Sequence, residues 1–325
     1  MKFQRRQVLA AFAAGAVSPF ALAQANWPTK PIKIVVPFGP GGVADLTARA
    51  VGEALGAKLG QAVIIDNKPG AGGITGGDAV VRAAPDGYTL FLMSNGTAVS
   101  AGLFSKLPFD PQKDFAPISL LGTFDLAVIV PENSRFKNLG ELLAAAKANP
   151  GKLNIATIAV GSTQNLAAEL FKTTAGIDVQ VVPFNGSPMV ITALRGGQVD
   201  AAIEILAPLK GQIQSKALRP LAVLGERRPA DMKDVPTVAE SGGALAGFNV
   251  ASWNALAAPA HTPKEIITKL NHELQALLMQ PEMKKKLADI NVDARSSTPE
   301  QLAGLLSSEI KRWSDVIARA KIPRQ

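Results

Sequence analysis

The stretch Ile32-Lys33-Ile34-Val35-Val36-Pro37-Phe38-Gly39-Pro40-Gly41-Gly42-Val43-Ala44-Asp45 decides the fold. Its β-branched opening reads as a strand over 32–38. The turn Gly39-Pro40-Gly41-Gly42 stops that strand and opens a helix predicted over 43–59, where Leu46, Ala50, Ala54, Leu55 and Leu59 share one face. The alternation continues along the chain, with further strands expected at 62–65, 88–93, 126–130, 153–159, 179–183, 199–205 and 218–224. Strand, turn and helix in repetition predict an α/β protein whose sheets are mostly parallel and flanked by helices on both faces. Helix starts are signalled where a capping residue stands three positions before an acid or amide: Asn138 with Glu141, Thr262-Pro263 with Glu265, and Thr298-Pro299 with Gln301. The Ala-rich run at 144–148 ends at Asn149-Pro150-Gly151, which stops a helix and turns the chain.

A chain of 325 residues exceeds what one core usually organises, so two lobes are expected. Apolar runs at 126–131 and 251–259, bounded by Pro131 and Pro259, are the expected crossover strands of a hinge. The division is residues 26–125 plus 249–325 for lobe one and 126–248 for lobe two. Residues 1–25 read as an export signal: Lys2, Arg5 and Arg6 are basic, 8–23 is apolar, and Ala21, Ala23 and Ala25 offer cleavage near Ala23 or Ala25. Gly15, Ser18 and Pro19 interrupt the apolar run, which falls short of the roughly 20 residues that span a bilayer. A periplasmic location follows. Arg5-Arg6-Gln7-Val8-Leu9 leaves the twin-arginine and general secretory routes both open.

Hydrophobic residues make up 47% and charged residues 18%, without low-complexity tracts, as in compact soluble proteins. Loss of the leader would reduce 34 basic residues to 31 against 26 acidic, lowering the net charge from +8 to +5. No Lys/Arg stripe interleaves with aromatics, so nucleic acid is excluded as a partner, while a mild positive field favours anionic solutes. With no Cys there is no disulfide and no thiolate. The two histidines, His261 and His272, stand near the start of one late helix and suggest neither a zinc cluster nor a Ser-His-Asp set. No enzyme activity, metal or cofactor is expected.

Two glycine-rich loops carry the chemistry, at 37–45 and 66–74, each between the C-terminal end of a strand and a helix start. Glycine lets backbone N–H groups turn inward, and the helix N-terminus adds partial positive charge, which suits an anion. In an open α/β sheet such loops share one rim. Valine at Gly42 or Gly72 is therefore expected to abolish binding and spare the fold. A phosphate loop is excluded because neither loop ends in Gly-Lys-Ser/Thr, and Gly70/Gly72/Gly76 misses the dinucleotide spacing. Lobe two repeats the arrangement at Val160-Gly161-Ser162-Thr163-Gln164-Asn165, where Ser162 or Thr163 caps a helix or gives a hydroxyl to a ligand. Phe184-Asn185-Gly186-Ser187 is a second polar turn, and Glu204, in an apolar strand, is expected to face the cleft. Lys68 and Arg195 are either carboxylate partners or surface, and Lys284-Lys285-Lys286 is an exposed helix face.

The chain resembles the periplasmic receptors of tripartite tricarboxylate transporters, the Bug family, along essentially all of the mature sequence. The stretches that carry the resemblance include 37–45, 67–73, Pro85-Asp86-Gly87-Tyr88-Thr89-Leu90, 110–117, 146–153, Glu169-Leu170-Phe171, 182–187, Gly197-Gln198-Val199-Asp200, Leu221-Ala222-Val223, 235–240 and Ala257-Ala258-Pro259. The resemblance implies a two-lobed type II periplasmic-binding-protein fold, no catalysis, and a small organic carboxylate held partly through ordered water. It places Phe38, Gly41, Gly42 and Asp45 in the first loop's site and Gly70, Ala71, Gly72 and Gly73 in the second's. Ser162, Thr163, Asn185 and Gly186 would be contacts from lobe two. Ser94, Asn95, Asn165, Phe184 and Glu204 complete the candidate ligand-binding set. The partners implied are integral-membrane transporter subunits, and a monomer is expected. Family members often carry His at the position of Asn165, Tyr-Lys at Phe184-Asn185 and Asp-Asn at Glu204-Ile205, so the ligand's distal end is expected to differ, with Glu204 favouring a donor or cation. An exported sensor feeding a membrane signalling partner is the alternative, since the same fold serves as an effector domain.

Overall fold

Among the described residues ten strands share one sheet, and two long antiparallel strands at its centre separate two parallel groups. The structure is a computed structural model that describes residues 27–206, 209–229, 231–319 and 322–325. The export signal expected over 1–25 lies outside them. The first group holds β1 (Ile32–Val36), β2 (Val63–Asn67) and β3 (Thr89–Ser94), with β1 parallel to both others. The second holds β5 (Asn154–Ile158), β6 (Gln180–Phe184) and β7 (Ala201–Ile205), with β5 parallel to both others. Between them lie β4 (Phe115–Pro131) and β9 (Ala251–Pro259), giving the order β2-β1-β3-β9-β4-β7-β5-β6. Strands β8 (Leu218–Val223) and β10 (Asp293–Ala294) pair with β4 off this path.

The strand expected at 126–130 is the second half of a strand of 17 residues. Its first half, Phe115 to Asp125, pairs with β9, and its second half, from Leu126, pairs with β7 and β8. Pro117, Gly122 and Asp125 hide the first half from a periodicity argument, and the strand accommodates this composition by shifting register twice, between Pro117 and Ser119 and between Leu120 and Gly122. The chain returns beside this point of passage, since the Val250 N–H donates to Leu224 O and the Leu224 N–H to Leu126 O.

Helices follow from local chemistry. Helix α1 (Val43–Leu59) fills the predicted span and ends at Gly60 in the left-handed conformation, whose N–H donates to Gly56 O. A 3-10 turn (Ala71–Gly73) leads into α2 (Ile74–Val81), and α3 (Asn95–Leu103) follows β3 with no connecting loop. Helix α4 (Leu139–Ala148) starts at the expected Asn138 cap, whose Oδ1 accepts from the Glu141 N–H at 2.9 Å. In the second group α5 (Thr163–Ala175) and α6 (Ser187–Arg195) follow β5 and β6, and α7 (Lys210–Gln214) precedes β8. The last helices are α8 (Lys264–Met279), α9 (Pro281–Ala288) and α10 (Pro299–Arg319). Thr298 and Gln301 form the predicted reciprocal cap of α10. The expected cap of α8 does not form, because the Thr262 hydroxyl donates back to Pro259 O.

One apolar core runs through the central strands, with Ile32, Ile34, Val36, Leu90, Phe91, Leu92 and Leu256 fully enclosed. Each such side chain contributes about 1.5–3 kcal/mol on burial. Helix α10 returns from the C-terminal end to pack on α3 and β4, and its Trp313 is buried with Nε1 at 2.9 Å from both Asn95 Oδ1 and Glu309 Oε2. Chemical denaturation is expected to show a loss of about 3–5 kcal/mol for Trp313→Ala. Trp313→Phe, which keeps one aromatic ring and loses the pyrrole ring with its donor, should cost less, about 2–3 kcal/mol.

Candidate functional site

Parallel strands release every following helix at the same edge of their group, and here the two edges face one another. The cleft between them is about 780 Å³, within the range of small-molecule sites. Its walls come from the loop and helix start after β1 (Pro37 to Pro40, Gly42 to Ala44), the second glycine loop (Pro69, Gly70, Gly72), the loop after β5 (Ile158 to Gln164) and the turn after β6 (Pro183 to Met189). Ser94, Phe124, Ile205, Ser252 and Asn254 complete the lining from the central strands and their neighbours.

Two properties of this lining matter together. It contains no Asp, Glu, Lys, Arg or His among the described residues. Yet the residues that precede four helices all lie in it: Gly42 before α1, Ser94 before α3, Ser162 before α5 and Gly186 before α6. Each helix start carries unpaired backbone N–H groups and the positive end of a peptide dipole. Ser162 and Ser94 turn their hydroxyls back onto helix N–H groups, Asn165 at 3.1 Å and Gly96 at 3.2 Å, whereas Gly42 and Gly186 supply no side-chain cap. The start of α1 keeps the N–H groups of its first turn without a side-chain cap, whereas that of α6 keeps the Ser187 N–H, because Pro188 has none and the Met189 N–H donates to Gly186 O. Phe38, Val43, Phe124, Ile158, Phe184 and Ile205 give the rest of the cleft an apolar wall.

The two glycine loops are tied together behind the cleft by a carboxylate. Asp45 is buried, with Oδ2 accepting from the Gly41 N–H and Arg49 Nε, both at 3.0 Å, and Oδ1 accepting from Asn67 Nδ2 at 3.0 Å. The same Asn67 amide donates to Phe38 O at 3.0 Å. Burial pushes the Asp45 carboxyl up, but the bonds from Arg49, the Gly41 N–H and Asn67 outweigh it and hold the group below the usual carboxylate range. Asp45 thus stays charged and holds the first loop against the second.

Of the expected ligand-binding residues, Phe38, Gly42, Gly70, Gly72, Ser94, Ser162, Thr163, Phe184, Asn185 and Gly186 line the cleft. Seven do not. Asp45 and Gly41 are turned toward each other in the knot just described, because a first-turn acid satisfies the loop N–H beside it. A β-carbon on Gly73 would sit 3.1 Å from Pro37 Cβ, and Ala71 opens the 3-10 turn. Asn95 is buried and hydrogen-bonds Thr163 Oγ1 and Trp313 Nε1. Asn165 points back into the second group, where its amide donates to Thr157 Oγ1. Glu204 does not face the cleft. It is fully enclosed, and Gln164 lies between it and the ligand space, donating from Nε2 to Glu204 Oε1 at 2.7 Å. Lys68 pairs with Asp66 on the surface, and Arg195 and Lys284 to Lys286 are exposed.

Gln164, Ser252 and Asn254 were missed by the sequence argument. Gln164 follows the Ser162-Thr163 cap and would have been found by asking which residue of the first turn faces outward. Ser252 and Asn254 are the alternate residues of an apolar strand, a period-two signal, with Trp253 on the opposite face.

The two edges are in contact. Gly161, at φ +82°, approaches Gly72 so closely that a β-carbon on Gly161 would sit 3.3 Å from the Gly72 α-carbon. Beneath this contact a chain of hydrogen bonds runs from Trp313 through Asn95 and Thr163 to Ser252, joining the first group to the second.

Known proteins share this architecture. The family model described as tripartite tricarboxylate transporter family receptor matches residues 47–322. The solved structure of the periplasmic binding protein BugD is 30% identical with a TM-score of 0.86, covering 92% of this chain and 100% of that one. Rpa4515 of R. palustris, solved with adipate, is 32% identical with a TM-score of 0.87, covering 91% and 99%. MatC of Rhodopseudomonas palustris, solved with bound malate, is 32% identical with a TM-score of 0.83, covering 90% and 100%. The mixed α/β arrangement of two parallel groups is therefore the periplasmic-binding-protein fold.

Burial raises the pKa of Glu204 above the ordinary carboxylate value, opposed only in part by the bonds from Gln164 and the Ile205 N–H. The folded protein then holds this proton to higher pH than the unfolded chain, so stability falls as pH rises from the unfolded value, near 4.5, through the folded one. Melts across that window should show Glu204→Gln lacking this decline and melting higher than wild type at neutral pH. An identical decline in both proteins would place the titrating group elsewhere.

Proposed function

The chain belongs to the tripartite tricarboxylate transporter receptor family of periplasmic solute-binding proteins, and on that footing we propose that it captures a small organic carboxylate between two lobes and delivers it to integral-membrane transporter subunits. The observation that carries the ligand class is the cleft, free of charged side chains among the described residues, onto which four helix N-termini open. A hydrogen bond to a charged group is worth about 1.5–3 kcal/mol, so two or three backbone N–H donors suffice to hold one carboxylate. The apolar wall suits the carbon skeleton between or beside carboxylates. Adipate in Rpa4515 and malate in MatC support the same class.

Capture is by closure. The proposed lobes are residues 26–125 with 249–325, and 126–248, joined where β4 changes partners between Asp125 and Leu126 and where the chain returns at Val250. A carboxylate held by Gly42 and the second glycine loop on one side and by the Ser162 and Gly186 turns on the other bridges the lobes and favours the closed form. The Gly72–Gly161 approach supports this, since a β-carbon on Gly161 would press to 3.3 Å from the Gly72 α-carbon. Among the described residues the cleft lining offers hydroxyls and amides but no His, Cys or carboxylate to activate them, which supports a receptor without turnover. Export through the leader, cleaved near Ala23 or Ala25, places the receptor in the periplasm.

The test is a thermal melt of the mature chain, from Ala25 or Asn26 onward, against mono-, di- and tricarboxylates, amino acids and aromatic acids. Ligand at 100 times its Kd adds about 2.7 kcal/mol, a rise of several degrees. A rise with neutral or cationic solutes alone would contradict the carboxylate assignment.

Valine at the two glycines separates binding from folding differently than the sequence suggests. A β-carbon at Gly42 meets nothing within 4 Å and points into open space, so Gly42→Val should abolish the ligand shift and leave the unliganded melt unchanged. Gly72, at φ +60°, would bring a β-carbon to 2.3 Å from Ser100 Oγ and 2.7 Å from Phe104, so Gly72→Val should lower the unliganded melt itself. Unchanged affinity in Gly42→Val would contradict the first-loop site.

A further inference from the structure

Asn254 stands on the floor of the cleft with both ends of its amide unused. It lies in β9 in register with Ser94 of β3 and Gly122 of β4, and only 1% of its surface is exposed. Neither Nδ2 nor Oδ1 has a hydrogen-bond partner. The polar groups around it are engaged already: Ser94 Oγ accepts from the Gly96 N–H, and Ser252, two residues earlier on the same face of β9, shares a hydrogen bond with Thr163. An unsatisfied buried polar group costs about 1–3 kcal/mol, and native proteins leave few of them. Here the orphaned amide lines the ligand space itself.

The chemistry of the amide restricts what satisfies it. Nδ2 donates and Oδ1 accepts. A methylene leaves both orphaned. An ionised carboxylate accepts from Nδ2 but turns its negative charge toward Oδ1. A neutral group that both accepts and donates, a hydroxyl or a carboxamide, serves both ends at once. Resting on the receptor function proposed above, we propose that Asn254 is the specificity-determining residue that selects, among small carboxylates, those bearing such a neutral donor–acceptor group. The carboxylate is held by the helix N-termini and the second group meets the amide on the floor.

The test compares acids that differ by that one group, by titration calorimetry on the mature wild-type chain and on Asn254→Leu: succinate with malate and succinamate, glutarate with 2-hydroxyglutarate, benzoate with 4-hydroxybenzoate. Wild type is expected to bind the substituted member of at least one pair ten-fold or more tighter than its parent, as one or two additional neutral hydrogen bonds would give. Malate against succinamate distinguishes hydroxyl from carboxamide as the favoured group. Asn254→Leu should bring the ratio close to one, with an unliganded melt no lower than wild type. Asn254→Ala, which cannot overpack, should reduce the ratio in the same way and serves if the leucine variant fails to fold. Parent and substituted acids binding wild type equally, or the same ratio in wild type and both variants, would overturn the assignment while leaving the carboxylate receptor standing. Absence of binding by any acid would overturn both.

Discussion

The antiparallel pairing of β4 with β9 holds two parallel strand groups in one sheet, and the geometry of the cleft follows from it. Each parallel group presents its strand ends, and hence its helix starts, along one edge. Because β4 continues from one group into the other, those edges meet across a single cleft. At the meeting point Gly161 carries no side chain to press on the backbone of Gly72. The hydrogen-bond chain through Asn95, Thr163 and Ser252 links the same edges beneath.

Charge is arranged in two layers. Ionised groups stand behind the cleft, with Asp45 and Arg49 fastening the first glycine loop to the second through Asn67. The lining itself carries only dipoles: helix starts, amides and hydroxyls. A fixed dipole array pays little reorganisation when an anion arrives, and it has no titrating group in contact with the ligand. Glu204 lies one layer deeper and differs from these ionised groups, since burial favours its neutral form; it fixes the Gln164 amide by accepting from Nε2.

Much of this was legible in the sequence because glycine, capping residues and β-branched runs act locally. The span of α1, the Asn138 and Thr298 caps and the strand-to-helix position of both glycine loops follow from such signals. Side-chain direction at a helix start was not legible. Asp45, Asn95 and Asn165 occupy first-turn positions, where a short polar side chain can face the ligand or turn back to a neighbouring group, and only the packing around it decides. Glu204 was misjudged for a related reason: an acid in an apolar strand needs a partner, and its partner Gln164 lies 40 residues away in sequence. The long first half of β4 was concealed by Pro117 and Gly122, which a central strand tolerates here only through bulges.

In the function proposed for this cleft, backbone amides at helix starts, rather than cationic side chains, hold the anion. A crystal structure of the mature protein grown with malate or adipate tests it most directly. The expected result is a carboxylate within hydrogen-bond distance, directly or through one ordered water, of N–H groups at the Gly42 and Gly186 helix starts, with no Lys or Arg in contact. A carboxylate paired with Lys68, Arg195 or another cationic side chain would contradict the account.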